Sequence, residues 1–552
     1  VENKDLDTSH ENLPKSSASA EKPRFVRSRL FRFAISTSAF ILGLAISLAA
    51  AFKTNFIAVP TQSILFVTQT VEENATFKQL AALFDSPEAA ALPAFGNADL
   101  GPLDKFDGKG SAADDVESVT KNDALAKSDS AAQAVLNAEK PPEKTTEKKA
   151  NPIFNRDLVL DDSQHRIAED FQIPAGLRER VGFWFDIYSK YDSNQRIVHH
   201  SRFPWIVYKV VDVAPIINAE TPRHRWLRNE KADKYVKSET RKIKEALVSI
   251  SRRKNMDNLN EYETLVANAL SKLNGPVKRL AREATGETRV QVGQRDFFQA
   301  GLEISPRYLA GMEDIFRSQK LPIELTRIPF VESSFNKTAY SKVGACGVWQ
   351  FMGGTGRKFM IVDDRIDERR SPFKATEAAA RLLKENHLIL HHSWPLAITA
   401  WNHGPPGVRK AMRAAHNEDL AVIVAKYHSK SFDFASSNFY SEFLAALHAE
   451  RYNDQIFSDL NRQKVIEAFS ARLAHSISAK ALYKRSGLSL DDFNLLNPDL
   501  EKAVARNASV PRGFKLMITE PAKAGLASLL RPGSIEDRKA VAELTSTNQR
   551  IQ

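Results

Sequence analysis

The sequence is almost without cysteine: of 552 residues, only Cys346 carries a thiol. An intramolecular disulfide is therefore excluded, as is any metal site built on cysteine pairs. The lone thiol reads as a small buried apolar side chain. Also missing are an arginine-rich helix with base-reading polar residues and an aromatic RNA-binding strand, so nucleic acid is set aside as a partner. His387, His391 and His392 stand close together, but no carboxylate is spaced from them as in a zinc-binding helix. No metal and no cofactor is expected. Acid is scarcer than base: 67 Asp and Glu face 78 Lys and Arg, a formal net charge of +11. That balance favours anionic partners, either lipid or an acidic polymer.

Charge disappears altogether over residues 33–52 (FAISTSAFILGLAISLAAAF). About 20 uncharged positions suffice for a helix to span a bilayer. Lys22, Arg24, Arg27, Arg29 and Arg32 precede the run and only Lys53 follows closely. The positive-inside rule keeps residues 1–32 in the cytoplasm and exports the rest. This reads as a single-pass inner-membrane anchor. The alternative is a cleaved signal peptide, for which Ala49-Ala50-Ala51 offers a cleavage site.

Residues 53–151 are read as a tether. From about Thr70 they turn rich in Ala, Asp, Glu, Lys, Ser and Pro, too poor in apolar groups for a core. A coil of roughly 80 residues reaches about 50 Å. Apolar periodicity returns near Ile153, and residues 152–300 read as a mostly helical accessory region. Its Trp184, Phe185 and Trp205 read as aromatic core before they read as a sugar platform. Residues 301–455 read as a small all-helical domain whose helices alternate with Gly-rich turns. Residues 464–520 promise a helix–turn–helix followed by a turn and a short strand. The end, 521–552, reads as a polar, frayed tail.

Chemistry concentrates at Glu332, within RIPFVESSFN, where Ile328, Pro329, Phe330 and Val331 precede it. Apolar neighbours disfavour the charged carboxylate, which suits an acid that must donate to a leaving oxygen. Alone, a helical Glu is usually a surface residue. Three further segments follow in order: SKVGACGVWQFMGGTGR, AITAWNHGPPGV and SSNFYSEFLAA. At these residues the chain resembles the family 1 lytic transglycosylases, most of all their membrane-bound D subgroup. That family carries Glu-Ser, then G-x-x-G-L-[MW]-Q-[FIL]-M-P, then A-Y-N-x-G, then a tyrosine opening a late helix. Here the matching positions are Glu332-Ser333, Gly344 to Gly353, Ala400 to Gly404, and Tyr440.

The resemblance implies a mainly α fold with a goose-type-lysozyme-like catalytic domain. It also implies that peptidoglycan glycan strands are cut without water. Glu332 would protonate the oxygen between N-acetylmuramic acid and N-acetylglucosamine, then take the proton of the muramic C6 hydroxyl as a 1,6-anhydro ring closes. No second carboxylate is needed to activate a water. Ser333, Gln350, Phe351, Met352, Trp401, Asn402 and Tyr440 would bind substrate or orient Glu332, with Tyr440 the nearest candidate to touch its carboxyl. Trp401 stands where the family has tyrosine, Gly353 where it has proline, and Ser436-Ser437 where it often has Glu-Thr. Residues 478–518 resemble a degenerate LysM module, a small α+β fold that binds N-acetylglucosamine-containing chains; a helical packing appendage is the alternative. Two rivals to the main reading stay open. One is a hydrolytic muramidase using Asp363, Asp364 or Asp367 as second acid, although a solvated, mutually paired charge run is the default for that loop. The other is a non-catalytic wall-binding scaffold.

Overall fold

The structure is a computed structural model and describes residues 154–534 apart from 222, 223 and 466. The expected anchor and tether, and the tail past 534, lie outside the described residues. Among the described residues no helix is long and apolar enough to cross a membrane.

The described residues are mainly helical, as expected, but the first region contains a sheet that the helical reading did not foresee. Strands β1 (Gln195–His200), β2 (Val207–Asp212) and β3 (Thr288–Val292) form an antiparallel sheet in the order β2-β1-β3. Ile197, Val198, Tyr208, Val210, Val211 and Val290 give these short segments their β-branched and aromatic content. The register between β1 and β2 shifts between Val198 and His199. The helices Arg225–Arg252, Glu261–Leu270 and Val277–Glu283 cover the sheet. A separate apolar core joins Val198, Ile206 and Tyr208 to Ile243, Leu247, Ile250 and Leu270. Asn260 and Glu263 cap the second of these helices reciprocally, leaving no orphan donor at its start.

The main core draws on both sides of position 300. Helix Arg178–Ser189 packs along helix Phe434–Arg451, and Tyr188 stacks on Phe298, 5.2 Å between centroids. Phe298 in turn stacks on Phe330 at 4.9 Å. Trp184 and Phe185 are buried here, as an aromatic core requires. Helix Phe434–Arg451 is the axis of this core, apolar on nearly every face, so it runs through the interior rather than along it. Helices Pro372–Ile389 and Trp394–His403 pack on one another, and the latter also packs on Phe434–Arg451. Gly404 closes Trp394–His403 with φ +80, a conformation that favours glycine.

The C-terminal module has its own core, including Phe469, Leu482, Phe493, Leu500, Leu516 and Ile518. Strand β4 (Phe469–Arg472) pairs antiparallel with β7 (Lys515–Ile518), and β5 (Ile477–Ser478) pairs with β6 (Ser509–Val510). The anticipated helix–turn–helix is present as Ala479–Ser486 and Leu490–Leu496, turning at Gly487. The frayed-tail expectation needs correcting over its first residues. Helix Glu520–Leu526 folds back because Ala522, Leu526 and Leu530, at four-residue spacing, are buried in this core.

Ile366 belongs to the same core, and a set of charges fixes the module to the helices beside it. Lys374 donates to Asp499 at 2.6 Å and pairs with Glu368 at 3.0 Å, all three largely buried. Arg370 pairs with Glu501, and Lys515 with Glu377 at 2.6 Å.

Candidate active site

Glu332 sits in the last turn of the short helix Ile328–Ser333. Three local features set that helix. Pro329 occupies its first turn, where a missing N–H costs nothing. Arg327, just before it, is fully buried between Glu313 and Glu450, with 3.1 Å from Nε to Glu450. Since Glu450 belongs to helix Phe434–Arg451, the guanidinium ties the Glu332 segment to the central axis. Finally, Ser334 and Phe335 both adopt left-handed conformations, φ +49 and +60, and end the helix abruptly. Such angles are uncommon for non-glycine residues, and strain of this kind gathers at functional sites.

The Glu332 side chain is buried, and the Trp401 indole N–H donates to its Oε1 at 2.7 Å. Trp401 is held edge-on by Phe351 at 5.1 Å and leans on Trp349 at 5.5 Å. The tryptophan that departs from the family tyrosine is thus the side chain that meets the carboxyl.

The Gly-rich loop is braced from behind. Ser333 Oγ donates to the Val348 carbonyl at 2.9 Å, which joins the Glu332 helix to the loop. Gln350, itself left-handed at φ +47, spends its amide N–H on the Ala339 and Gly347 carbonyls at 3.2 and 2.7 Å. Arg369 donates to the carbonyls of Gly344 and Phe351, at 2.7 and 3.0 Å, and grips Asp367 with its other nitrogens at 2.8 Å. Gly347 must be glycine: its φ is +76, and a Cβ there would collide with the Arg369 carbonyl. Met352 is buried and caps the short turn Gly353–Gly356. Cys346 is buried between Tyr340 and Phe351, where burial and then Asp367 push its thiol up to about 11.

Asn402 and Tyr440 make the following contacts. Asn402 accepts a hydrogen bond from Ser436 at 2.9 Å, and Ser436 also meets His403 at 3.1 Å. Ser436 is the position where the family often has Glu, so a compact neutral trio fills that corner. Tyr440 packs on Phe443, 6.2 Å between centroids; burial first, then the charge of Asp170, raises its phenol.

The acidic loop is less solvated than a paired charge run. Asp367 and Arg369 are buried together, while Asp363 and Arg365 pair nearer the surface at 3.4 Å. His387 stacks on Trp394 at 3.9 Å, and His391 meets Glu418 at 2.8 Å.

The site also includes a carboxyl that no motif announced. Glu442 lies two residues past Tyr440, half-buried between the buried Ser441 and Phe443. Burial and then the charge of Glu332 push its carboxyl up to about 8, with Arg289 opposing. Tyr188 is raised by burial and then by the same two carboxyls, Glu442 and Glu332. The available signal was one acid in an otherwise apolar helical stretch, NFYSEFLAALHA.

The site lies in a segment that is similar to known proteins. Residues 316–423 match the model of the Transglycosylase SLT domain. Membrane-bound lytic murein transglycosylase D of Escherichia coli (strain K12) is 33% identical over 98 residues, 18% of this chain and 22% of that protein. A putative tributyltin chloride resistance protein of Alteromonas sp. (strain M-1) is 33% identical over 106 residues, 19% of this chain and 51% of its own length. The chain thus spans between about a fifth and a half of the length of these curated relatives. The matched segment holds Glu332, the Gly-rich loop and Trp401, and leaves the helix of Tyr440 and Glu442 outside it. Over residues 316–423 this chain is therefore similar to transglycosylase SLT domains.

Proposed function

We propose that this protein is a peptidoglycan lytic transglycosylase acting between N-acetylmuramic acid and N-acetylglucosamine. The observation that carries the reading is the buried Glu332 carboxyl, held by the Trp401 indole inside the SLT segment. In its acid role, Glu332 gives its proton to the glycosidic oxygen as the bond to C1 breaks. The C6 hydroxyl of the muramic residue then attacks C1, and its proton passes to the Glu332 carboxylate. Atoms balance without water: one chain becomes two, one ending in a 1,6-anhydro sugar. The indole N–H is aimed at an oxygen that becomes charged in the first step, so its hydrogen bond strengthens when the proton leaves. Phe351, Met352 and the Gly-rich loop form the apolar wall beside the acid, while Ser333 and Gln350 hold that wall in place.

Digestion of purified sacculi tests this reading by product mass. Anhydro-ended muropeptides are expected, and Glu332→Gln should bind sacculi without releasing them. Reducing ends would mean hydrolysis instead. Release by Glu332→Gln at the parent rate would remove Glu332 from the mechanism.

For the C-terminal module we propose binding of N-acetylglucosamine-containing chains, as in LysM folds. Support comes from its strand pairs β4–β7 and β5–β6, which bracket the helices Ala479–Ser486, Leu490–Leu496 and Glu501–Arg506 over a core that the preceding domain joins through Ile366. For residues 33–52 we propose a membrane anchor that leaves the rest on the periplasmic side of the inner membrane, in reach of the wall. The uncharged run and the basic residues before it support this.

A further inference from the structure

Helix Arg178–Ser189 has two working faces. Arg180 and the Trp184 indole turn to helix Phe434–Arg451, where both donate to Asn438 Oδ1, at 2.9 and 3.1 Å. Glu179, Phe183 and Asp186, at four- and three-residue spacing, share another face. That face borders a cavity of about 420 Å³ outside the SLT segment. Arg156 of helix Arg156–Leu160, Tyr191, Trp205 and Lys272 complete its walls. Its volume lies within the roughly 300–1,000 Å³ of small-molecule sites. Trp205 packs against both the main core and the sheet core, so the cavity sits where the two meet. Arg156 Nε pairs with Asp186 at 3.0 Å. The guanidinium lies so close to Gly182 that a Cβ there would collide with its Nη2. Glycine inside a helix weakens it, and room for this cation gives Gly182 its reason. Glu179 and Lys272 line the same cavity, yet neither pairs with the other or with any side chain among the described residues. The Tyr191 hydroxyl and the Trp205 indole N–H have no hydrogen-bond partner among those residues either.

We propose that this cavity binds a zwitterionic amino-acid group, the ammonium and carboxylate of a free amino acid or of a short peptide. Glu179 takes the ammonium. Lys272, backed by Arg156, takes the carboxylate, and Trp205 and Tyr191 cover the apolar body. Charge decides the ligand class. The walls carry two carboxylates and two cations. Arg156 and Asp186 already serve one another, which leaves one charge of each sign unspent. A simple anion would suit Lys272 and meet Glu179 as a like charge, and a simple cation would do the reverse. A neutral sugar would leave both charges without a counter-ion. A body bearing both signs answers both walls at once. The ligand is held here, not cut, so the inference stands apart from the reading of Glu332.

Calorimetric titration of the full chain tests this with alanine and with alanyl-alanine, beside the N-acetylated and C-amidated form of each and N-acetylglucosamine. At least one free zwitterion should bind saturably at about 1 mM or tighter. Blocking either of its charges should weaken binding at least about tenfold, as for a hydrogen bond between charged groups. The tighter of the two free probes identifies the source, amino acid or peptide. Glu179→Gln should bind the free and N-acetylated forms alike, and Lys272→Gln the free and amidated forms alike. Gly182→Ala displaces the Arg156 guanidinium while keeping every charge, and should weaken the free probe severalfold. No saturable binding of either zwitterion, equal binding of the blocked forms by the parent, or a preference for N-acetylglucosamine overturns the proposal. The blocked probes read the parent chain directly, so a substitution that disturbs the fold leaves that comparison intact.

Discussion

The hydrogen bond from Trp401 marks Glu332 out among buried carboxyls. The indole of Trp401 favours the charged form of the oxygen it touches, while the enclosure disfavours charge. Replacing Trp401 with Phe keeps an aromatic ring against Phe351 and removes only the donor. The expected loss in kcat/KM is about tenfold to a hundredfold with the fold retained, as for one hydrogen bond to a charged group. Steady-state kinetics with circular dichroism as control would check it. Glu442 makes a different prediction, about stability. Its carboxyl titrates near 8 in the folded chain and near 4.5 when exposed, so its contribution is whole below the lower value and fades as pH rises through the upper one. Urea denaturation at a series of pH values should show the parent losing stability across that window and Glu442→Gln losing less.

At the scale of elements, the site depends on two buried guanidinium groups. Arg327 fixes the Glu332 helix to the central helix through Glu450, with Glu313 on its other side. Arg327→Met removes the buried cation between Glu313 and Glu450, leaving them only Arg317 and Arg451 nearer the surface, and should cost about 3 kcal/mol in equilibrium unfolding. The Gly-rich loop is as demanding. Gly347→Ala must hold a left-handed angle and also push back the Arg369 carbonyl, so it should cost at least about 1–3 kcal/mol and lower activity with it. Thermal unfolding beside sacculus digestion measures both losses.

Much of this element-level arrangement was legible in the sequence. The helices around Glu332, Trp401 and Tyr440 follow from three- and four-residue apolar spacing and from Gly404 as a stop. The sheet was not, because FPWIVYKVV is an apolar run too short for periodicity to separate strand from helix. Glu442 was hidden for another reason. Its neighbourhood is built by Tyr188 and Arg289, each more than 150 positions away along the chain. Arg369 was read as part of a solvated charge run because sequence alone does not tell which ion pair is buried.

For the molecule as a whole, the C-terminal module and the SLT segment share a junction. Lys374 reaches from the helix Pro372–Ile389 to the buried Asp499, and its ammonium lies 3.4 Å from the Phe514 ring centroid. Asp499→Ala leaves Lys374 with Glu368 alone and should weaken this junction by about 3 kcal/mol. Calorimetry should then resolve two transitions where the parent shows one. A single unsplit transition at the parent temperature would mean the junction adds nothing to cooperativity.

Arg369 holds both ends of the Gly-rich loop and is itself held by Asp367. A segment fastened at both ends has little conformational freedom left to surrender when a polymer docks. The loop is then a template of fixed outline: affinity is not spent on ordering it, and a strand whose contour differs must itself bend or leave.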